Sequence, residues 1–322
     1  MLTSNFRDAV LLDPISSGAD HLKIVSGYAA HTMASWHMGE IHDRFGRHIE
    51  APIDITLLVG MCGYDGLSLP VHDGFQQLMN ESSKSDEVRF TAQYVYRGVP
   101  VHSKLYLWER GEQPILAYIG SPNYTQTAFS SRQREILTEF DPYEALEYFD
   151  SIESGSIYCN HAEVSEYIVL HSAHRARPEA TGAVSRLRGA DIHSVTLSFI
   201  TESGETGQRS GINWGQRAGR EPNQAYIPLP AYIARSGFFP LEKRHFSVLT
   251  DDRKQLILRV EQQNDKAITT PANNSLLGEY FRNRLGMPNG AYVRKADFER
   301  YGRTDVTFYK LDDEQFFMDF SV

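Results

Sequence analysis

Two short stretches of this chain concentrate side chains able to do chemistry. The first is VHSKLYLWE at 101–109, in which His102 and Lys104 stand two residues apart. The second is IGSPNYT at 119–125, where Gly120, Ser121, Pro122 and Asn123 follow an apolar run. An imidazole titrates near neutrality, so it can serve as nucleophile, base or acid. An ammonium supplies a fixed positive charge, and a hydroxyl and an amide supply neutral donors. Such a set suits a reaction whose anionic oxygens must be surrounded by donors. A His-x-Lys spacing alone is common; its pairing with Gly-Ser-x-Asn on the next strand is far more specific.

The flanking pattern shows what must hold these groups. Residues 21–29 and 53–60 are continuous apolar runs ending in glycine and read as buried strands. Residues 31–47 and 70–82 read as helices, the second opened by Pro70. Four more strands are expected at 88–98, 101–109, 115–121 and 134–140, followed by a helix capped by Asp141. On a strand, residues two apart leave the same face, so His102 and Lys104 are expected side by side. Alternating strands and helices imply an α/β sheet over 1–150. Residues 151–185 lack strand periodicity and read as a linker.

From 186 to 322 the pattern changes to short strands, at 195–200, 225–230, 245–250, 254–263, 304–311 and 314–321, with a short helix at 275–285. This is a mostly β domain of barrel or sandwich type. Charge divides in the same way. Residues 1–185 carry 13 basic and 24 acidic side chains, net −11; residues 186–322 carry 19 and 17, net +2. The overall charge of −9 therefore does not exclude a nucleic-acid partner, because local patches decide such binding. From Arg209 to Arg220 there are three arginines and no acid. Arg209, Asn213, Trp214, Gln216, Arg217, Arg220, Asn223 and Gln224 lie in one glycine-rich stretch. Arginine pairs with guanine, asparagine and glutamine with adenine, so this stretch has the side chains of a base-reading loop.

The His-x-Lys and Gly-Ser-x-Asn pair resembles the signature of the phospholipase D superfamily. The segment INWGQRAGREPNQAYIPLP resembles the C-terminal domain of restriction endonucleases of the NgoFVII and BfiI type, which is similar to the plant B-three DNA-binding pseudobarrel. Both halves point to one family in the same order. The resemblance implies an α/β phospholipase D-type N-terminal domain plus a mostly β C-terminal DNA-binding pseudobarrel. It implies hydrolysis of DNA phosphodiesters without a catalytic metal, through a phosphohistidine on His102. Lys104, Ser121 and Asn123 would surround the phosphoryl group, and Glu135 is the candidate to orient the nucleophilic ring. It implies two DNA-gripping arms, at about 207–224 and near 266–286. In the second, Lys266, Thr269, Thr270, Asn273, Asn274 and Arg282 are candidates for phosphate or base contact, while Leu276, Leu277, Tyr280 and Phe281 are expected to pack into the core.

The chain departs from the superfamily in two places. Glu109 stands where many members carry an aspartate after the lysine, and it reads as a solvated strand-end charge. Family sites use two His-x-Lys motifs; of the two such spacings here, His21–Lys23 and His102–Lys104, only the second is followed by Gly-Ser-x-Asn, so the chain holds one full motif pair. The resemblance thus implies a homodimer with one shared active site. It also implies a restriction–modification setting, with a cytosine methyltransferase. ATP and magnesium would enter only through a helicase-like ATPase partner, since the chain has no Gly-x4-Gly-Lys-Ser/Thr loop. The rival readings are a phospholipid hydrolase and a non-catalytic dimeric DNA-binding regulator.

The remaining features exclude more than they assert. There is no apolar run of transmembrane length and no secretory pattern at the N-terminus, so no membrane role is expected. Cys62 and Cys159 are too few for a disulfide framework or a cysteine zinc cluster, and a reduced, cytoplasmic location is expected. His171 and His174 have the spacing of a metal pair on a helix but read as surface residues of the linker, so no metal site is expected. His72 reads as a packing residue.

Overall fold

The computed structural model describes residues 1–46, 49, 51–130, 133–171, 193–271 and 273–322. The chain divides into two units, Met1–Arg175 and Ala176–Val322.

The first unit runs β1 (His21–Ser26), α1 (His31–Phe45), β2 (Ile53–Val59), β3 (Leu67–Ser68), α2 (Leu69–Ser82), β4 (Val88–Val95), β5 (Lys104–Arg110), β6 (Gln113–Gly120), β7 (Leu137–Phe140), α3 (Pro142–Glu153), β8 (Ser156–Tyr158) and β9 (Leu170–His171). Seven strands form a mixed sheet in the order β7-β6-β5-β1-β2-β4-β8, and β3 pairs with β9. The apolar runs explain the centre: Leu22, Ile24, Val25, Ile55, Leu57 and Leu58 are all buried. Such strands persist only with cover on both faces. Helix α2 packs on β4, and α3 packs on β5 and β6. Asp141 caps α3 by accepting from the Tyr143 and Glu144 amides at 2.9 and 3.0 Å.

Strand direction decides where chemistry can sit. Strands β1, β2 and β4 are parallel, while β5 and β6 run antiparallel to their neighbours. The C-terminal ends of β1 and β6 therefore meet the start of β5 at one edge, with Ser26 opposite Lys104 and Leu105 opposite Ile119. That edge is the usual ligand side of an open α/β sheet.

Two expectations are corrected. Strand β8 pairs with β4, and β9 with β3, so residues 151–171 belong to the first unit and are not linker. Residues 172–185 of the expected linker lie outside the described residues. The strand expected at 134–140 is shorter, 137–140, which leaves Glu135 in the segment before it.

The second unit contains β10 (Ser194–Ser198), β11 (Ile227–Pro228), β12 (His245–Thr250), β13 (Gln255–Glu261), β14 (Ala267–Thr269), α4 (Ser275–Arg284), α5 (Lys295–Tyr301), β15 (Asp305–Lys310) and β16 (Gln315–Asp319). Its seven strands run β10-β15-β16-β12-β13-β14-β11, and the edge strands β10 and β11 approach one another, so the sheet nearly closes into a barrel. Aromatic rings fill it: Phe239 packs on Phe246, Phe308 and Phe316, and Phe199 packs on Phe281, Phe298 and Phe320. The sequence pattern misses β14 and α5 because three strand residues and seven helical ones are too few to establish a period.

Candidate active site and DNA interface

His102 lies in the extended segment entering β5 and is exposed, whereas Lys104, the first residue of β5, is buried. The expectation of two side chains on one strand face is thus refined: only Lys104 is in the ladder. Its Nζ turns back to donate to the His102 carbonyl oxygen at 2.7 Å and lies 3.2 Å from the ring Nδ1. Burial pulls the Lys104 ammonium below its ordinary pKa, opposed by the negative charge of Glu135.

Asn123 arrives on the turn after β6. The buried Tyr106 hydroxyl donates to the Pro122 carbonyl at 2.8 Å and holds this turn down. The Ser26 hydroxyl accepts from the Tyr124 amide at 2.9 Å and donates to the Tyr28 carbonyl at 2.6 Å, tying the end of β1 to the same turn. Asn123 Oδ1 accepts from the Tyr28 amide at 3.2 Å. A backbone N–H only donates, so the atom facing it must be the oxygen. The Asn123 amino group is thereby turned to the other side as the donor.

Between the two motifs sits Gly27. A Cβ there would stand 3.0 Å from His102 Cδ2 and 3.6 Å from Asn123 Oδ1. The glycine brings backbone directly against the imidazole. Ser121 donates to the Glu135 carboxylate and accepts from the Ile136 amide at 3.0 Å. Glu135 is therefore held beside Ser121 and exerts its charge on Lys104. Within one chain, then, an imidazole, an ammonium, an amide and a hydroxyl with its carboxylate gather at one sheet edge.

The arginine-rich stretch of the second unit has a different character. Residues Gly211–Gln216 form a 3-10 turn. Arg209, Arg217 and Arg220 are exposed. The Arg220 guanidinium lies 4.1 Å from the centre of the Trp214 ring and donates to Gln224 Oε1 at 3.0 Å. Arg217 Nε donates to the Arg209 carbonyl at 2.8 Å. The loop is built from below. Asn213 is fully buried; its amide donates to the Gly207 and Val293 carbonyls at 3.1 and 2.7 Å and accepts from the Val293 amide at 2.9 Å. Arg282 is also fully buried and donates to the carbonyls of Ala291, Gly278, Ile212 and Asn223. Gly278 allows this approach, since a Cβ there would collide with the Asn223 carbonyl oxygen.

Residues 4–166 match the family model of the NgoFVII restriction endonuclease N-terminal PLD domain, and residues 187–312 match that of the NgoFVII C-terminal B3-like DNA-binding domain. The chain belongs to the NgoFVII restriction endonuclease family. Its first unit is a phospholipase D-type nuclease domain that hydrolyses phosphodiesters, and its second is a B3-like domain whose partner is DNA. NucT from Helicobacter pylori is a structural neighbour at 14% identity and a TM-score of 0.31, over 49% of this chain and 96% of that one. No curated protein matches the chain.

Within this NgoFVII-family chain the structure sorts the residues singled out from sequence. His102, Lys104 and Asn123 come together, with Ser121 and Glu135 paired next to them. Of the first arm, Arg209, Arg217 and Arg220 face solvent, while Trp214 and Gln216 are half-buried; Gln216 donates to the Gly290 carbonyl at 3.0 Å. Asn213 and Asn223 are buried instead, and Asn223 accepts from the Gly290 amide at 2.6 Å. The second arm is buried to a greater extent. Thr269, Thr270 and Arg282 are buried, leaving Lys266 and Asn273 exposed and Asn274 partly so. Asn274 sits at the N-cap of α4 without a side-chain cap bond, and Asn273 accepts from the Ser275 amide at 3.0 Å. Leu277, Tyr280 and Phe281 pack as expected, but Leu276 is 43% exposed.

Glu109 also needs correction. It is buried, accepting from His21 Nδ1 and Lys23 Nζ at 3.1 Å each. Burial pushes its carboxyl pKa up, but the hydrogen bonds from these two partners and the Lys23 charge outweigh that and leave it below the ordinary value. His72 shares a 3.0 Å hydrogen bond with the Tyr94 hydroxyl, the satisfied packing role expected. His171 Nε2 bonds the Asp65 carbonyl at 2.9 Å, and His174 lies outside the described residues. Among the described residues no helix is long and apolar enough to cross a membrane. Sequence reasoning missed Ser26, Gly27 and Tyr28, which touch both motifs. Their signal was the glycine ending an apolar strand on the ligand edge of a parallel sheet.

Proposed function

We propose that this protein is a sequence-specific DNA endonuclease of a restriction–modification system, working as a homodimer with a shared, metal-independent active site. His102 attacks phosphorus and the P–O bond to the leaving strand breaks, giving a phosphohistidine. The second subunit's copy of the same histidine protonates the leaving oxygen, and water then releases the phosphate. Lys104 and the Asn123 amino group stabilise the equatorial oxygens. The Ser121–Glu135 pair supports them from the side. The observation that carries this reading is the clustering of one imidazole, one ammonium and one amide at a single sheet edge: half of the set that such a two-histidine reaction uses. A partner methyltransferase would protect host DNA, and any ATP and magnesium requirement would belong to a helicase-like partner subunit. Two free, buried cysteines suit the reducing cytoplasm where such a system acts.

Mixing wild-type and His102→Ala chains tests the shared site. Heterodimers hold one imidazole, so cleavage is expected to fall faster than the wild-type fraction. Activity linear in that fraction, or cleavage by a sedimenting monomer, overturns the dimeric mechanism.

A further inference from the structure

The imidazole of His102 is exposed, and an exposed ring samples several rotamers unless something holds it. A nucleophile that wanders by an ångström loses much of its rate. Within the chain, Glu135 is engaged by Ser121, and Lys104 Nζ donates to the His102 carbonyl at 2.7 Å while standing 3.2 and 3.3 Å from the two ring nitrogens, on one side of the ring only. What faces the ring just after β1 is the Gly27–Tyr28 segment. The Tyr28 ring stands edge-on to the His102 ring, with centroids 5.8 Å apart and planes at 77°. Gly27 lies against the same ring, where even a Cβ would stand 3.0 Å from His102 Cδ2 and press on it.

Tyr28 is itself anchored at both ends. Its amide donates to Asn123 Oδ1 at 3.2 Å, and its carbonyl accepts from the Ser26 hydroxyl. Its phenol, which is 44% exposed with the rest of the side chain, donates to Asp65 Oδ2 at 2.5 Å. Asp65 closes the helical turn Cys62–Asp65, its amide bonded to the Met61 carbonyl at 2.9 Å and its own carbonyl bonded by His171. A large exposed aromatic ring tethered by a charge-assisted hydrogen bond on a braced turn is a costly arrangement for an idle surface residue.

We propose that Tyr28 is a positioning residue for the nucleophile: held by Asp65, its ring fixes the orientation of the His102 imidazole while its backbone amide fixes that of Asn123. This rests on His102 being the nucleophile. The side chain acts through packing, so it is not expected to contribute to DNA affinity.

The test is single-turnover cleavage of a cognate plasmid by the full chain, together with DNA affinity and thermal melting, for four variants. Tyr28→Ala is expected to lower the cleavage rate about 10- to 100-fold with affinity and melting unchanged. Tyr28→Phe keeps the ring but loses the tether, and its rate should fall between Tyr28→Ala and wild type. Asp65→Ala should match Tyr28→Phe, and the double variant Tyr28→Phe/Asp65→Ala should be no slower than either alone. His102→Ala separates the two claims. If it still cleaves, the catalytic reading itself fails. If it is dead while Tyr28→Ala cleaves like wild type, or if Tyr28→Phe is as slow as Tyr28→Ala, the positioning role is overturned.

Discussion

The two units treat their polar side chains in opposite ways. In the nuclease unit the conspicuous residues stand at a sheet edge and are held for use: His102 is exposed, and the Asn123 oxygen is pinned so that its amino group is left to donate. In the DNA-binding unit many conspicuous residues are consumed by the fold. Asn213, Asn223, Thr269, Thr270 and Arg282 all have base- or phosphate-reading chemistry, and all are buried. The difference teaches that a reactive motif is read from spacing, because strand geometry converts spacing into proximity. A recognition loop is not read so simply, because the same asparagines and arginines that read bases also satisfy the carbonyls of an irregular loop.

The sharpest way to break this contrast is at His102. His102→Ala is expected to reduce cleavage by roughly a thousandfold or more, with specific binding intact. Gel-shift affinity and plasmid nicking measured on the same preparation decide it; parallel loss of both would show that the histidine supports the fold or the interface instead.

Next in size is Arg282→Ala. The carbonyls of Ala291, Gly278, Ile212 and Asn223 lose the guanidinium donor, and a buried group left without a partner costs about 1–3 kcal/mol. The second unit should melt at a distinctly lower temperature. An unchanged melting curve with weakened DNA binding would return Arg282 to the interface. The opposite result is expected for the exposed Arg217→Ala: unaltered melting, and a loss of about 1–3 kcal/mol of cognate affinity if it reads a base. A uniform loss on all sequences, with a flatter salt dependence, would assign it to phosphate.

A further effect is one the units share. Burial lowers the pKa of His31 and His37 in the first unit to about 4, and that of His245 in the second to about 3, all from 6.5. Each ring stays neutral in the fold until well below the pH at which the unfolded chain takes up its proton. Stability is therefore full above about pH 6.5 and declines as the pH falls from there toward 4. Denaturant titrations of the full chain at pH 7 and pH 5 should show both transitions weakened at the lower value. A pH-independent midpoint for either one would mean that its histidines are hydrated.

The sequence by itself determined the α/β and mostly β halves, the strand positions around both motifs, and the pairing of His102–Lys104 with Ser121–Asn123. These follow from local rules: apolar runs bury, glycine and proline end them, and adjacent antiparallel strands place their ends together. It did not determine that Lys104 folds back on the His102 carbonyl, that Glu109 is a buried ion-pair acceptor, or that Ser26, Gly27 and Tyr28 close the site from the end of β1, far away in the chain. Nor did it distinguish Arg282, sunk beneath its loop, from Arg217, which faces solvent. Only tertiary structure decides such matters. The identity of a side chain states which bonds it can make, while packing settles whether water, backbone or ligand is there to make them.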